Sequence, residues 1–195
     1  MSLSLDNVTT VILAGGQGSR LEGVDKGLSL LHQQPMIETV LAKIYPQNPQ
    51  LVINANRNID IYQKYGFPVF EDLDTGYLGP LAGLYTALSQ AKTEWVISVP
   101  CDAPDVAPNY IASMLKHAEN KVPVVASIDG RLQPTFSLTP KSRLAELRAY
   151  LDNGDRAAGR WFKTQHCISV DFSDHAKHFA NLNDAQAMSE WERQT

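Results

Sequence analysis

Hydrophobic positions along the chain follow two spacings, and these predict two kinds of element. Short runs rich in β-branched and aromatic residues predict strands at residues 8–13, 51–53, 68–70, 95–99, 122–127, 135–138 and 168–172. Apolar residues three and four positions apart predict helices that begin near Pro35, Pro80, Pro108 and Leu144. A last helix is predicted to begin near Asp184. Strands and helices therefore alternate along most of the chain.

This alternation predicts an α/β fold with helices on both faces of a mostly parallel sheet. A turn at Asp129-Gly130 joins two predicted strands and adds an antiparallel piece. We expect one Rossmann-like three-layer α/β/α domain over residues 1–195. Ligands of such sheets bind beyond the C-terminal ends of the strands. Polar clusters follow the predicted strands that end at Leu13, Ile53 and Val99, so the sequence predicts one cleft there.

The composition narrows the class of protein. The chain has 195 residues, 44% hydrophobic and 19% charged, which suits a folded domain with a sizeable core. Its net charge of −4 argues against a general nucleic-acid binder. Cys101 and Cys167 lie far apart and form no zinc or disulfide framework. No apolar run reaches membrane-spanning length and no signal-peptide pattern is present, so we expect a cytoplasmic protein.

The first polar cluster is rich in glycine and reads Leu13-Ala14-Gly15-Gly16-Gln17-Gly18-Ser19-Arg20-Leu21. Its glycines let backbone N–H groups approach a phosphate, and Arg20 and Lys26 can neutralise the charge of a triphosphate. The cluster is not a P-loop, because Val24 occupies the lysine position, and Leu21 breaks the dinucleotide fingerprint. The alternative interpretation is a glycine-rich surface turn without a ligand. The fixed positions of Arg20 and Lys26 after the glycines argue against that interpretation.

The second cluster is Pro100-Cys101-Asp102, at the end of an apolar predicted strand. A carboxylate there suits Mg²⁺, which is usually held by one or two carboxylates together with substrate phosphates. A helix N-cap or a turn aspartate fits Asp102 equally well when the cluster is taken alone.

The third cluster, Asn54-Ala55-Asn56-Arg57, follows the second predicted strand. Its amides suit hydrogen bonds to a base or a ribose, although asparagine also favours turns. Asp72, after the third predicted strand, could accept hydrogen bonds from a base.

These motifs together resemble a known family. Leu-Ala-Gly-Gly-x-x-x-Arg with a downstream Asp25-Lys26, the segment 79–83 and Pro100-Cys101-Asp102 are similar to the nucleotidyltransferases of the molybdenum cofactor branch. The resemblance is strongest to the molybdenum cofactor guanylyltransferase family. It covers nearly the whole chain, because segments 170–175 and 179–183 also match.

The resemblance implies a fold of the nucleotide-diphospho-sugar transferase type, GTP as donor, Mo-molybdopterin as acceptor, Mg²⁺ as cofactor and pyrophosphate as product. The nucleotide-binding part would span about residues 1–105 and the acceptor-binding part about 106–195. We expect a monomer whose partners include molybdenum-cofactor delivery or acceptor proteins, and neither nucleic acid nor membrane. The residues that the resemblance implies for binding the nucleotide are Leu13, Ala14, Gly15, Gly16, Lys26, Asn54, Asp72 and Asp102. Those implied for catalysis are Arg20, Lys26 and Asp102, and Asp102 is also the implied metal ligand. Those implied for binding the acceptor are Arg156, Asn181 and Asn183.

Two departures and several alternatives accompany this resemblance. Leu21 and Glu22 stand where the family usually has Met-Gly, and residues 156–160 match loosely. A cytidylyl or sugar-phosphate nucleotidyltransferase of the same fold remains open, as does a nucleotide-binding module without turnover. An NAD-dependent oxidoreductase is disfavoured by Leu21 in the fingerprint.

Overall fold

A computed structural model gives the structure of the chain and describes residues 3–16, 25–74 and 79–193. The strands are β1 Val8–Leu13, β2 Leu30–Leu31, β3 Gln34–Pro35, β4 Leu51–Asn54, β5 Val69–Phe70, β6 Trp95–Pro100, β7 Val124–Ile128, β8 Arg131–Pro140 and β9 Ile168–Asp171. The α-helices are α1 Met36–Ile44, α2 Ile59–Gln63, α3 Pro80–Gln90, α4 Tyr110–Leu115, α5 Leu144–Asp152, α6 Ala158–Thr164 and α7 Ala185–Glu192.

In the described chain, seven strands form one sheet in the order β5-β4-β1-β6-β8-β7-β9. Within this sheet only β8 runs antiparallel to its neighbours, β6 and β7. The prediction of a mostly parallel sheet with an antiparallel piece is therefore confirmed. The strand order reverses beside β1, with β4 on one side and β6 on the other. Such a reversal opens a crevice at the C-terminal ends of the strands.

Apolar residues on both sheet faces build the three layers. On one face, Ile37 and Ile44 of α1 and Ile111 of α4 join a core cluster with β1 and β6. On the other face, Leu84 of α3 and Trp161 of α6 pack with α5. The predicted stripe of α1 is confirmed, because its apolar positions at three- and four-residue spacing are buried.

The β-hairpin at Asp129-Gly130 forms as predicted. Both turn residues have positive φ, the conformation that a two-residue hairpin turn requires and that Gly adopts without strain. β8 is longer than the sequence indicates, since it starts at Arg131 directly after the turn.

Several short elements were not predicted. α6 is seven residues long and carries its two large apolar residues, Trp161 and Phe162, side by side, so no helical period is visible. β2 and β3 have two residues each and are joined by His32 and Gln33, both at positive φ without a glycine. Leu31, Met36 and Leu182 form a small cluster that α7 covers. Among the described helices, none is long and apolar enough to cross a membrane.

Candidate active site

A cleft of about 380 Å³ opens at the C-terminal ends of β1, β4 and β6. Its volume lies within the usual range of small-molecule sites, roughly 300–1,000 Å³. Its described lining consists of Leu13, Ala14, Gly15, Gly16, Lys26, Asn54, Asp72, Gly79, Pro80, Pro100, Cys101, Asp102, Thr135 and Asn181. The structure thus brings together most of the site residues that the sequence singles out. Arg20, with its neighbours Leu21 and Glu22, lies outside the described residues.

The segment after β1 is held between its two neighbouring strands. The backbone N–H of Ala14 donates to the carbonyl of Asn54 at 2.8 Å, and the N–H of Cys101 donates to the carbonyl of Leu13 at 3.1 Å. A Cβ added at Gly15 would lie 2.9 Å from Asn56 Nδ2 and 3.0 Å from Asn54 Oδ1. Gly15 is therefore required by close approach, which brings the glycine segment against the third polar cluster.

Asp72 is held by two asparagines. Its Oδ1 accepts from Asn54 Nδ2 at 2.8 Å, and its Oδ2 accepts from Asn56 Nδ2 at 2.7 Å. The backbone N–H of Asp72 donates back to Asn56 Oδ1 at 2.8 Å. Asn54 and Asp72 are therefore hydrogen-bonded to each other in the cleft wall. Asn56, which is not part of the described lining, holds Asp72 in place and also donates to the carbonyl of Gly15 at 3.2 Å.

A helical glycine makes room for this unit. A Cβ added at Gly83, in the first turns of α3, would overlap Asn54 Oδ1 and come within 2.9 Å of Leu13 Cδ2. Glycine within a helix costs about 1 kcal/mol relative to alanine, so its presence there needs a packing reason. The close approach of α3 to Asn54 supplies that reason and explains the second glycine of the Gly-Pro-Leu-Ala-Gly motif.

Lys26 is the cation of the described cleft wall. Its Nζ donates to Asp102 Oδ2 at 2.9 Å and to Asn183 Oδ1 at 2.5 Å. The side chains of Lys26 and Asp102 are 22% and 13% exposed, so the pair is partly shielded from water yet reachable from the cleft. The backbone N–H of Leu182 donates to the carbonyl of Asp102 at 2.7 Å, which docks the C-terminal segment on the end of β6.

The donor set at Asp102 fits a magnesium ion held mainly by its substrate. Nowhere in residues 3–16, 25–74 and 79–193 do three His, Cys, Asp or Glu side chains meet in a metal-binding group. Mg²⁺ commonly binds through one or two carboxylates with substrate phosphates and water as the other ligands. One cleft carboxylate beside a lysine suits that mode.

The residues expected at the acceptor occupy different places. Asn181 is exposed and lines the cleft, whereas Asn183 contacts Lys26. Arg156 lies in the turn between α5 and α6 and is not part of the described cleft lining. Its guanidinium donates to the carbonyls of Leu151 and Asp155 at 2.7 and 2.6 Å.

A buried carboxylate next to Lys26 was not singled out by the sequence patterns. In the sequence Asp25 stands out only as the neighbour of Lys26. In the structure its carboxylate is buried against α2. The Asp25 Oδ1 accepts from the Tyr62 hydroxyl at 2.6 Å. Burial raises the pKa of Tyr62 far above its ordinary value, and Asp25 adds to the shift, so the hydroxyl stays protonated as a donor. Burial, with the nearby charges of Asp102 and Asp25, likewise raises the pKa of the Cys101 thiol, which makes it a poor nucleophile.

Sequence comparison gives a family and its named members. The MobA-like NTP transferase domain family matches residues 10–169. A molybdenum cofactor guanylyltransferase of Shewanella loihica is 42% identical over 178 residues, which make up 90% of this chain and 91% of the relative. The protein of the same name from Yersinia pestis is 40% identical over 187 residues, 96% of each chain.

Solved structures share the fold. Molybdopterin-guanine dinucleotide biosynthesis protein A from Archaeoglobus fulgidus superposes with a TM-score of 0.82 at 22% identity, covering 95% of this chain and 97% of the other. The 2-C-methyl-D-erythritol 4-phosphate cytidylyltransferase of Thermus thermophilus superposes with a TM-score of 0.71 at 14% identity, covering 100% and 98%. At these identities the similarity concerns the fold, and it is the nucleotidyltransferase fold expected from the sequence.

Proposed function

This chain belongs to the MobA-like NTP transferase domain family, and from that premise we propose that it transfers GMP from GTP to Mo-molybdopterin, releasing pyrophosphate and forming the molybdopterin guanine dinucleotide cofactor. The observation that carries the proposal is the meeting of Lys26 and Asp102 beside the glycine segment, at the strand-order reversal. A cation, a carboxylate and main-chain N–H groups at one sheet edge are what a metal-bound triphosphate requires.

The proposed reaction is a direct in-line displacement. An oxygen of the acceptor's terminal phosphate attacks the α-phosphorus of GTP, and a new P–O bond forms while the bond to the pyrophosphate oxygen breaks. No covalent enzyme intermediate is needed. Repulsion between two anions and poor alignment are the main barriers, so catalysis consists of positioning and charge neutralisation.

Lys26 supplies the neutralising charge. A lysine ammonium carries three N–H donors, and in the described cleft Asp102 and Asn183 accept from two of them. A further donor is therefore available to a phosphate oxygen without breaking either contact. Arg20 is the predicted second cation of the loop.

Mg²⁺ is proposed as the cofactor, held by Asp102 and the phosphates. When bound, it supplies charge stabilisation on the reacting phosphate oxygens, worth several kcal/mol in such sites. Asp102 suits this role because its main chain is fixed by the end of β6 and its carboxylate faces the cleft.

Asp72 is the proposed reader of the guanine base. Each of its carboxylate oxygens accepts one asparagine amide and retains a further acceptor position. Guanine presents N1–H and N2–H₂ on one edge, and two parallel acceptors can take both. Asn54 is the alternative reader. Its Nδ2 donates to Asp72 and to the carbonyl of Phe70 at 3.1 Å, which fixes its amide and leaves the oxygen for a ligand donor.

The acceptor is proposed to lie beside Asn181 and Asn183, with Arg156 on the same side. Arg156 precedes Gly159, where an added Cβ would contact Pro134 at 3.7 Å, and Pro134 adjoins Thr135 in the cleft lining. This approach of Gly159 to β8, next to the cleft lining, supports a role on the acceptor side for the turn before α6, although Arg156 itself lies outside the described lining.

The proposal predicts a strong preference for GTP among the four triphosphates. A site built to hydrogen-bond a ligand group rejects analogues that lack it, because its own polar atoms are left unpaired. The measurement is pyrophosphate release with Mo-molybdopterin and each triphosphate at equal concentration, for wild type and Asp72→Asn. Use of CTP as readily as GTP would replace the guanylyl assignment by cytidylyl transfer, since a carboxylate can also accept from the cytosine amine. Unchanged preference in Asp72→Asn would move base reading to Asn54 or to backbone atoms.

A further inference from the structure

The residue that precedes Lys26 is anchored away from the cleft. Asp25 is 6% exposed. Its carboxylate accepts from Tyr62 Oη at 2.6 Å and from Asn58 Nδ2 at 2.9 Å, and Arg57 Nε lies 3.7 Å from Oδ2. Burying a charged carboxylate costs free energy unless hydrogen-bond donors or cations compensate it. For Asp25 the donors are Asn58, at the N-cap of α2, and Tyr62, within α2.

This anchoring is not the local capping that an aspartate usually provides. Asp25 stands at the N-cap of the 3₁₀-helix Lys26–Leu28, but its side chain makes no capping hydrogen bond there. The carboxylate reaches instead to α2, more than thirty residues along the chain. Its effect is to pin the main chain next to Lys26 onto another element.

The other side of Lys26 is pinned by packing. A Cβ added at Gly27 would lie 2.5 Å from the Tyr62 hydroxyl and 3.5 Å from Cys101 Cβ. The chain at Gly27 therefore fits between the tyrosine that holds Asp25 and the residue before Asp102. Lys26 stands between two fixed points, and its side chain extends into the cleft to Asp102.

We infer that Asp25 is a positioning residue for the transfer reaction: with Tyr62 and Asn58 it fixes the main chain of Lys26 so that the ammonium meets the β- and γ-phosphates of the donor. The inference rests on the proposed function of Lys26. Asp25 itself touches no substrate. Its loss acts through the placement of a charge that only the triphosphate part of the nucleotide requires.

The test removes one hydroxyl and compares two nucleotides. Tyr62→Phe deletes the donor to Asp25 and keeps the packed ring. Tyr110→Phe is the matched control, because Tyr110 is equally buried at 0% exposure and its hydroxyl donates to the carbonyl of Ser98 at 2.9 Å, within the core. Lys26→Ala provides the reference for complete loss of the cation. Calorimetry with GTP and with GMP, both with Mg²⁺, gives the affinity ratio for each variant.

We expect Tyr62→Phe to lower the GTP-to-GMP affinity ratio by about two- to fivefold, in the same direction as Lys26→Ala, because the free energy of the one hydrogen bond that holds Asp25 sets the upper limit of the effect. Tyr110→Phe should lower the melting temperature to a similar extent and leave the ratio at the wild-type value. A general loss of structure would weaken both nucleotides equally, so the ratio isolates positioning from stability.

Two outcomes overturn the inference and are distinguishable. If Lys26→Ala lowers the ratio and Tyr62→Phe does not, Asp25 and Tyr62 have a structural role only, while the proposed role of Lys26 stands. If Lys26→Ala itself leaves the ratio unchanged, the lysine does not serve the phosphates, and both the proposed role and the inference fail.

Discussion

Asp102 illustrates how one residue serves two parts of the site with different atoms. Its carboxylate pairs with Lys26, and its main-chain carbonyl accepts from the N–H of Leu182. A side-chain substitution therefore removes the charge without releasing the C-terminal segment. Chemistry and docking can be separated at this position.

Asp102→Asn should reduce turnover about 10³-fold or more, because a carboxylate that binds Mg²⁺ contributes several kcal/mol of charge stabilisation. The amide keeps the shape of the side chain, so the melting temperature should change little. Pyrophosphate release over a range of Mg²⁺ concentrations measures the effect, with circular dichroism as the control for folding. Wild-type Mg²⁺ dependence in the variant would falsify the metal assignment.

Among single residues, Lys26 and Asp102 were predictable from their sequence motifs. The buried contact between Asp25 and Tyr62 was not predictable, because in the sequence the two residues look like any acid and any aromatic residue. The contact between Lys26 and Asn183 joins positions 157 apart in the chain. No local pattern encodes such a contact; it follows from the docking of the C-terminal segment.

At the scale of elements, regular spacing decided what could be predicted. α1 and β1 were found because their apolar positions repeat at the helical spacing or form a continuous β-branched run, and both are buried as expected. α2 was missed because five residues hold too few turns to show a period. The terminal helix was found from Asp184, whose carboxylate caps it by accepting from the N–H of Ala187 at 2.8 Å.

The segment between β9 and α7 yields an element-scale prediction. Asn181 lines the cleft, whereas Asn183 holds the ammonium of Lys26. We therefore expect Asn181→Ala to weaken binding of molybdopterin about fivefold, the effect of one lost hydrogen bond, and to leave GTP affinity unchanged. Asn183→Ala should weaken both ligands, because it frees the lysine.

Equilibrium binding of each ligand to both variants measures this difference. Asn7→Ala is a suitable control, since Asn7 is exposed and precedes the N-terminal end of β1, whereas the cleft lies at the C-terminal end of that strand. Loss of GTP affinity in Asn181→Ala would assign this segment to the nucleotide. Unchanged binding of both ligands in Asn181→Ala would give the segment a structural role alone.

At the scale of the whole molecule, the cleft draws on distant parts of the chain. Its described walls run from Leu13 at the end of β1, through Pro80 at the start of α3 and Thr135 in β8, to Asn181 near α7. This arrangement follows from the strand order, which places β1 between β4 and β6 and makes their ends neighbours. Alternating strands and helices predicted the sheet, whereas the strand order itself came only from the structure.

A ligand that binds a cleft of this construction binds only the folded chain, so it should stabilise the whole molecule. At a free GTP concentration 100 times the dissociation constant, with Mg²⁺ present, the expected stabilisation is about 2.7 kcal/mol. For a chain of this size that corresponds to a rise in melting temperature on the order of 5–10 °C. CTP at the same concentration should give a smaller rise, because Asp72 and Asn54 would face the wrong base edge, and chelation of Mg²⁺ should reduce the GTP effect. Differential scanning fluorimetry measures both shifts, with Lys26→Ala as the variant in which the GTP effect shrinks toward that of GMP. Equal shifts for GTP and CTP would contradict the proposed base choice, and an undiminished GTP shift after chelation would contradict binding of the nucleotide as its magnesium complex.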